Sequence, residues 1–302
     1  MSHSEEVNQG NRFEFGKNWT RFLSTLNPDR IAAAELSLKQ MLGVENLEGK
    51  SFLDIGSGSG LFSLAARRLG ARVHSFDFDP HSVACTKELR RRYFGEQDPG
   101  WVVEEGSALD ARYVGSLGLF DVVYSWGVLH HTGDMWTGLR NADLAAAPGS
   151  KLFIALYNDT GTQSRRWGWI KKKYNETPAP LKPAFVVLAS ATLIELKPFL
   201  RSVATLKVGE YLDTWKTSKQ ADLRGMSKWH DLVDWVGGYP YEYCTPGEIF
   251  DFYTGLGYRM IRLSGGNVGL GCHQYVFEKL APGQPSAGTA PAAEKTAETI
   301  SA

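Results

Sequence analysis

The sequence predicts an α/β fold, a mostly parallel sheet with helices between its strands, and three observations predict it. Short apolar runs alternate with helical stretches from Ser51 to Tyr157. A glycine-rich turn, Gly56-Ser57-Gly58-Ser59-Gly60, follows the first of these runs. A helix and two more apolar runs follow residue 245.

The five early runs are SFLDI (51–55), RVHSFD (72–77), WVVEE (101–105), FDVVYSW (120–126) and KLFIALY (151–157). Between them lie LFSLAARRL (61–69), SVACTKELRRRYF (82–94) and a helical segment around Trp136 to Ala146. Strands alternating with helices make βαβ units, whose parallel strands present ligands at their carboxyl ends. The rhythm stops at residue 160. Residues 160–245 read as helix and loop, dense in Trp, Tyr, Lys and Arg. It resumes with a helix from Pro246 to Gly255, opened by Thr245 as N-cap and Pro246 at the first helical position. The runs YRMIRLS (258–264) and CHQYVFEK (272–279) then supply two strands, an antiparallel hairpin at one edge of a Rossmann-like seven-stranded sheet. The expected organisation is a helical cover over residues 1–45 and a sheet domain from 46–159 and 246–280. A mainly helical, substrate-side insertion fills 160–245 after the fifth strand. Residues 281–302, rich in Ala, Pro, Thr and Ser and without aromatics, read as a disordered tail.

Composition narrows the class. The chain has 302 residues, 43% of them hydrophobic, ample for a buried core. Lys+Arg and Asp+Glu both total 33, so no net charge draws it to nucleic acid or to an anionic membrane. Cys85, Cys244 and Cys272 are scattered and odd in number, which argues against disulfides or zinc and fits a reducing, cytoplasmic setting. The start, MSHSEEVNQGNRFEFG, lacks the apolar stretch of a signal peptide. The uncharged run Pro183 to Ile194 has 12 residues, where a membrane span needs about 20, and reads as a buried helix. No metal site is expected.

The turn FLDIGSGSGLFSL excludes two common nucleotide sites. A dinucleotide fingerprint puts its third glycine at position 61, which is Leu61. A P-loop needs a lysine that this turn lacks. What stands here is an acid, Asp54, two residues before Gly56, with Gly58 and Gly60 beyond it. That carboxylate repels a pyrophosphate and suits the cationic aminoacyl end of S-adenosylmethionine. The glycines let backbone approach a ligand closely, and the helix starting near Leu61 aims free N–H groups at it. The second strand ends at Asp77, 17 residues after Gly60, placed to accept both ribose hydroxyls, with Phe78 beside it for the adenine face. Asp79, ahead of Pro80, reads as a helix cap. Gly106-Ser107-Ala108-Leu109-Asp110 follows the third strand and borders the adenine. The fourth strand delivers Ser125 and Trp126 beside the methionine portion.

FLDIGSGSG, HSFDFDP, EEGSALD and FDVVYSWGVLHHT, in this order and spacing, resemble motifs I to IV of class I S-adenosylmethionine-dependent methyltransferases. More narrowly, the chain resembles the ubiquinone-biosynthesis O-methyltransferase type and its bacterial small-molecule relatives. The resemblance covers about residues 50–157, and 246–280 loosely. It implies that Asp54, Gly56, Gly58 and Gly60 hold the aminoacyl side, Asp77 the ribose, and Ser107 and Ala108 the adenine. Many relatives have Asp where Ser107 stands, which shifts adenine recognition to Asp110 or the backbone. The segment Phe15-Gly16-Lys17-Asn18-Trp19 lies where relatives carry a covering helix, so Trp19 is a candidate lid residue.

Methyl transfer from a sulfonium is mainly a matter of alignment, with a base added where the nucleophile must lose a proton. His131 and His130 follow the fourth strand, beside the expected methyl group, and His131 is the first candidate base. Such a base gives a rate that rises with pH through the histidine range. His230, from the insertion, is the rival, and a purely loop-shaping role for the pair is the alternative. Tyr157, Asn158 and Asp159 end the fifth strand on the same edge and are candidate substrate contacts. The stretch 226–243 gathers His230, Asp231 and Asp234 with Trp229, Trp235, Tyr239 and Tyr241, either an acceptor pocket or the packed underside of the insertion. The expected acceptor is a small molecule, methylated at a hydroxyl. Two other readings stand. Residues 164–174, five basic side chains among three aromatics, suit an RNA-directed methyltransferase or a solvated helix face. A fold kept without its chemistry gives an inactive cofactor-binding protein.

Overall fold

The five early runs form strands β1 (Ser51–Ile55), β2 (Arg72–Asp77), β3 (Trp101–Glu105), β4 (Phe120–Trp126) and β5 (Ala146–Tyr157). The computed structural model describes residues 3–16, 23, 26–211, 213, 228–265 and 271–281. The closing runs form β6 (Tyr258–Gly265) and β7 (Cys272–Lys279). The sheet order is β3-β2-β1-β4-β5-β7-β6. The first five strands pair in parallel, and β7 lies antiparallel between β5 and β6. This is the Rossmann-like seven-stranded sheet with an antiparallel edge that the pattern predicts.

The helices, in chain order, begin with α1 (His3–Asn8), α2 (Pro28–Leu42), α3 (Leu61–Arg68), α4 (Pro80–Phe94), α5 (Ala111–Ser116) and α6 (Met135–Leu144). After β5 come α7 (Thr162–Glu176), α8 (Lys182–Ser190), α9 (Leu196–Ala204), α10 (Lys228–Gly237) and α11 (Pro246–Gly255). Parallel strands covered on both faces are apolar on both, which is why β1, β4 and β5 read as near-continuous runs, whereas β2 and β3 keep charged residues at the exposed Arg72 and Glu105. Phe52, Tyr124 and Phe153 face Leu38, Leu64 and Leu89 of α2, α3 and α4. Their neighbours Leu53, Val123 and Ile154 face the other way, onto Val114, Leu139, Ile249 and Tyr253 of α5, α6 and α11. Asp79 caps α4 through His81 N at 2.9 Å, and Thr245 and Glu248 form a full capping box on α11.

Of the helices after β5, α7, α8 and α10 pack around a third apolar cluster that includes Trp167, Ile170, Tyr174, Val186, Leu232 and Val236. The uncharged run 183–194 is not a buried helix throughout. Val186 and Ala189 are buried, whereas Val187 and Leu188 are exposed, because α8 has packing partners on one side only. Among the described residues no single helix is long and apolar enough to cross a membrane. The expected tail, 281–302, lies outside the described residues beyond Ala281.

Candidate active site

The glycine turn joins β1 to α3 and takes its shape from close contacts. Gly56 and Gly60 have φ of 78° and 80°, a left-handed conformation that favours glycine. A Cβ on Gly56 would lie 2.3 Å from Val128 Cγ1, and one on Gly60 would lie 2.9 Å from Thr86 Cα. Gly58 N donates to Asp77 Oδ2 at 2.8 Å, and Asp79 N donates to Asp77 Oδ1 at 2.9 Å. The second strand's acid is thereby locked to the first strand's turn. Burial raises Asp77 to about 6. Asp54, at the end of β1, accepts a hydrogen bond from Ser63 Oγ, and burial raises its carboxyl to about 7.

A cavity of about 1310 Å³ opens along the carboxyl edge of the sheet. Asp54, Gly56, Gly58, Asp77, Phe78, Ser107, Ala108 and Trp126 line it, together with His130, His131, Tyr157 and Trp235. Ring contacts trace its course into the helical layer. His130 lies 4.0 Å from Tyr157 between centroids, Tyr157 lies 5.8 Å from Trp235, and Trp235 lies 5.3 Å from Trp167. Leu193 and Leu232 complete that end, and Phe13 and Phe15 close over the histidines, Phe15 at 4.9 Å from His131.

Several expected contacts support the wall without forming it. Gly60 caps α3 and packs on α4. Ser125 Oγ donates to Ile55 O at 2.9 Å, tying β4 to β1. Asp110 caps α5 through Arg112 N and Tyr113 N and does not line the cavity, whereas Ser107 does. Asn158 forms a bridge with Cys244, and Asp159 accepts from Gly161 N at 2.7 Å. Both turn the chain into α7, and of the Tyr157-Asn158-Asp159 trio Tyr157 alone lines the cavity. Tyr239 offers its carbonyl to Phe13 N at 2.8 Å and is likewise off the wall. Trp19 lies outside the described residues, as do the side chains of Trp229 and His230 at the start of α10.

The histidine pair is held in two different tautomers. His131 Nδ1 lies 2.5 Å from the Pro240 carbonyl, so Nδ1 carries the proton and Nε2 is left as an acceptor. His130 Nδ1 accepts from Tyr157 N at 3.3 Å, so its proton sits on Nε2. That Nε2 is buried and has no hydrogen-bond partner among the described residues. The pair, 4.5 Å apart, therefore presents one N–H donor and one lone pair. Burial keeps both rings neutral, pushing His131 down to about 3 and His130 well below the usual histidine range. The buried Lys171 adds to the effect. Its ammonium donates to the Trp235 carbonyl and lies 4.3 Å and 4.9 Å from the Trp235 and Tyr241 ring centres.

Other parts of the site carry no sequence signal. Arg12 donates to the His131 and Thr132 carbonyls at 2.8 and 3.2 Å, pairs with Glu6, and lies 5.1 Å from the Phe78 ring. Glu242 accepts from Gly133 N and Met135 N, and its own N–H donates to His130 O at 2.9 Å, fixing the histidine loop from the far end of the insertion. Gly16 N donates to Asp79 Oδ2 at 2.8 Å, and a Cβ there would strike that oxygen. No periodicity or motif marks Arg12 or Glu242, since both act over more than a hundred residues of separation. Residues 164–174 divide about α7: Trp167, Lys171 and Tyr174 are buried, and Arg165, Arg166, Trp169, Lys172 and Lys173 are exposed. Among the described residues no group of three or more His, Cys, Asp or Glu is placed to hold a metal ion.

The buried Asp54 and the half-buried Asp77 beside a glycine turn, with Phe78 and Ala108 on the same cavity wall, fit a cationic nucleoside. Fold and site together define a class I methyltransferase. The methyltransferase-domain family matches residues 25–180, and the chain belongs to it, with S-adenosylmethionine as the cofactor. It is 32% identical over 145 residues to a ubiquinone biosynthesis O-methyltransferase of Methylobacterium sp. (strain 4-46), covering 46% of this chain and 56% of that one. The chain thus spans about half the length of the curated relatives it matches first. Another ubiquinone biosynthesis O-methyltransferase, from Paramagnetospirillum magneticum, is 26% identical over 68% of this chain and 83% of its own. Among solved structures, the [4+2]-cyclase SpnF superposes with a TM-score of 0.50 at 10% identity, covering 83% of this chain and 81% of that one. That likeness shows the fold alone.

Proposed function

We propose that this methyltransferase acts on a hydroxyl oxygen of a small, largely apolar acceptor. The observation that carries the reading is the neutral histidine pair on the wall between the carboxylate end of the cavity and its aromatic end. S-adenosylmethionine supplies an activated methyl group on a sulfonium. Asp54 and Asp77 are assigned to its aminoacyl and ribose groups, Phe78 and Ala108 to its base. His131 Nε2, unprotonated, takes the hydroxyl proton as the oxygen becomes a nucleophile. His130 Nε2–H donates to a neighbouring acceptor atom and fixes the orientation. Tyr157, Trp167, Trp235 and Leu232 offer an apolar bed with few polar groups, which selects flat or chain-like molecules over charged ones.

The O-methyltransferase names of the matched relatives support oxygen as the target. The RNA reading has less support, because two of the three aromatics on α7 are buried. The experiment is methyl transfer from labelled cofactor to paired acceptors, apolar phenols and alcohols against their charged analogues. Turnover confined to the apolar hydroxyl compounds supports the proposal. Turnover of amines or nucleic acid instead, or cofactor binding without turnover of any acceptor, overturns it.

A further inference from the structure

Behind Asp54 the core holds polar groups where apolar ones would pack. Ser63, Ser75 and Trp101 have no exposed surface, and none of them lines the cavity. A buried hydroxyl is costly unless it is hydrogen-bonded, and these groups bond to one another in a single relay. Trp101 Nε1 donates to Ser75 Oγ at 2.8 Å, and Ser75 Oγ lies 2.7 Å from Ser63 Oγ. Ser63 Oγ, on α3, donates to Asp54 Oδ2. Strand register brings them together: Asp54 pairs with Ser75, and Trp101 on β3 lies opposite Val73, two residues earlier on β2.

The relay runs in one direction. An indole N–H donates and cannot accept, so the Ser75 hydrogen turns to Ser63 and the Ser63 hydrogen to Asp54. With Asp54 a carboxylate, three hydrogens fill three links. A proton on Oδ2 makes four hydrogens for the same three links, and one is left buried without an acceptor. The relay therefore favours the ionised acid, and each donor polarises the next. Burial works against it, raising the carboxyl to about 7, and the charge of Asp77 adds to that rise. The Tyr124 phenol, facing Asp54 from β4, is kept neutral by its own burial.

We propose that Ser63, Ser75 and Trp101 are positioning residues for the cofactor, a one-way relay that keeps Asp54 an acceptor for the ammonium group of S-adenosylmethionine. The inference rests on the assignment of Asp54 to the aminoacyl group made above. Asp77 is held differently, since its two oxygens accept from the backbone N–H groups of Gly58 and Asp79. The relay thus acts on one acid of the two.

The test is calorimetry of S-adenosylmethionine binding to the full chain at about pH 6 and about pH 8.5, on either side of the Asp54 transition. Ser63→Ala should weaken binding about tenfold at the lower pH, the loss of a hydrogen bond to a charged group. At the higher pH the acid is ionised with or without its donor, and the loss should shrink below about twofold. Ser75→Ala should follow the same trend with a smaller loss. A residue that only packs weakens binding equally at both pH values, and that result overturns the proposal. So does native affinity of Ser63→Ala beside weakened binding by Asp54→Asn. If Asp54→Asn itself binds as the native chain does, the assignment of Asp54 fails first, and the two failures are told apart. Should a serine variant not fold, the native chain still carries the test through nuclear magnetic resonance. The Trp101 indole N–H signal, identified by its loss in Trp101→Phe, should move with pH as Asp54 ionises and stay fixed in Asp54→Asn. An indole signal that ignores pH overturns the proposal whatever the variants do.

Discussion

The two ends of the cavity are built by different rules. At the sheet end, backbone geometry fixes the site: Gly56 packs under Val128, Gly60 against Thr86, and Asp77 is tied to both Gly58 N and Asp79 N. At the helical end, side chains from distant segments meet: Tyr157, Trp167, Trp235 and Lys171 hold one another by ring and carbonyl contacts. A backbone cradle tolerates little change and recurs wherever the same ligand is held. An aromatic box is remade with each new partner. In the reading proposed above, the sheet end holds the cofactor and the helices after β5 hold the acceptor.

The sharpest test falls on the boundary between the two ends. His131→Ala should slow single-turnover methyl transfer by about 10²–10⁴-fold, the loss expected of a general base, with cofactor affinity preserved. The expected rise through the histidine range is corrected by the structure. With His131 near 3, the imidazole is already neutral above about pH 4. The rate constant under saturating cofactor should therefore be flat in pH from 5 to 8 (roughly) as far as this residue is concerned. A histidine limb near 6.5, abolished in His131→Ala, would show that burial does not hold the ring neutral.

Asp77→Ala comes next and acts at the sheet end alone. Loss of a half-buried acceptor should weaken cofactor binding by about 1–3 kcal/mol in calorimetry, with acceptor KM little changed. A matching rise in acceptor KM would erase the distinction between the ends. Trp235→Ala is its mirror. It should raise acceptor KM roughly tenfold, about 1.4 kcal/mol, and leave cofactor affinity within error. If cofactor affinity falls as far, the aromatic layer is scaffold and not a selecting surface.

The smallest effect concerns Asp54. Its carboxyl is raised in the folded chain, so the folded state holds a proton that the unfolded state has released between about pH 4 and 7. Stability of the cofactor-free protein should therefore fall as pH rises through that window. Asp54→Asn should raise the melting temperature at pH 8 by about 2–4 °C, the shift that roughly 1 kcal/mol produces in a large domain. The same change should weaken cofactor binding. Cofactor affinity in the native chain should rise with pH through 6 to 7, where Asp77 and Asp54 ionise. A melting temperature that climbs between pH 4 and 7 would overturn the assignment.

What the sequence showed and what it hid follow the same division. Central strands buried on both faces leave near-continuous apolar runs, and β2, β3 and the largely exposed β6 are legible as short apolar stretches between turns. Asp79 and Thr245 read as caps because capping is local. Asp54, Asp77 and Phe78 are legible because a strand end and a turn put them on one edge. Gly60 and Ser125 sit in the same motifs yet serve packing, a difference that no spacing encodes. Arg12, Lys171 and Glu242 were invisible for a plainer reason. Each acts on a partner that only tertiary structure brings near, and a lone charged residue in a polar stretch looks like surface. The apolar run in α8 misled because hydrophobicity alone does not say whether a partner covers both sides of a helix.

The position of β7 has a consequence for how the chain is made. It pairs with β5 from Lys151↔Glu278 to Tyr157↔Cys272, and with β6 on its other side. During synthesis β5 leaves the ribosome more than a hundred residues before its antiparallel neighbour. Through that interval one edge of a five-stranded parallel sheet stays open, with unpaired N–H and C=O groups along β5. The nascent protein is most exposed to mispairing in that window, and β7, made after β6, is the strand that ends it.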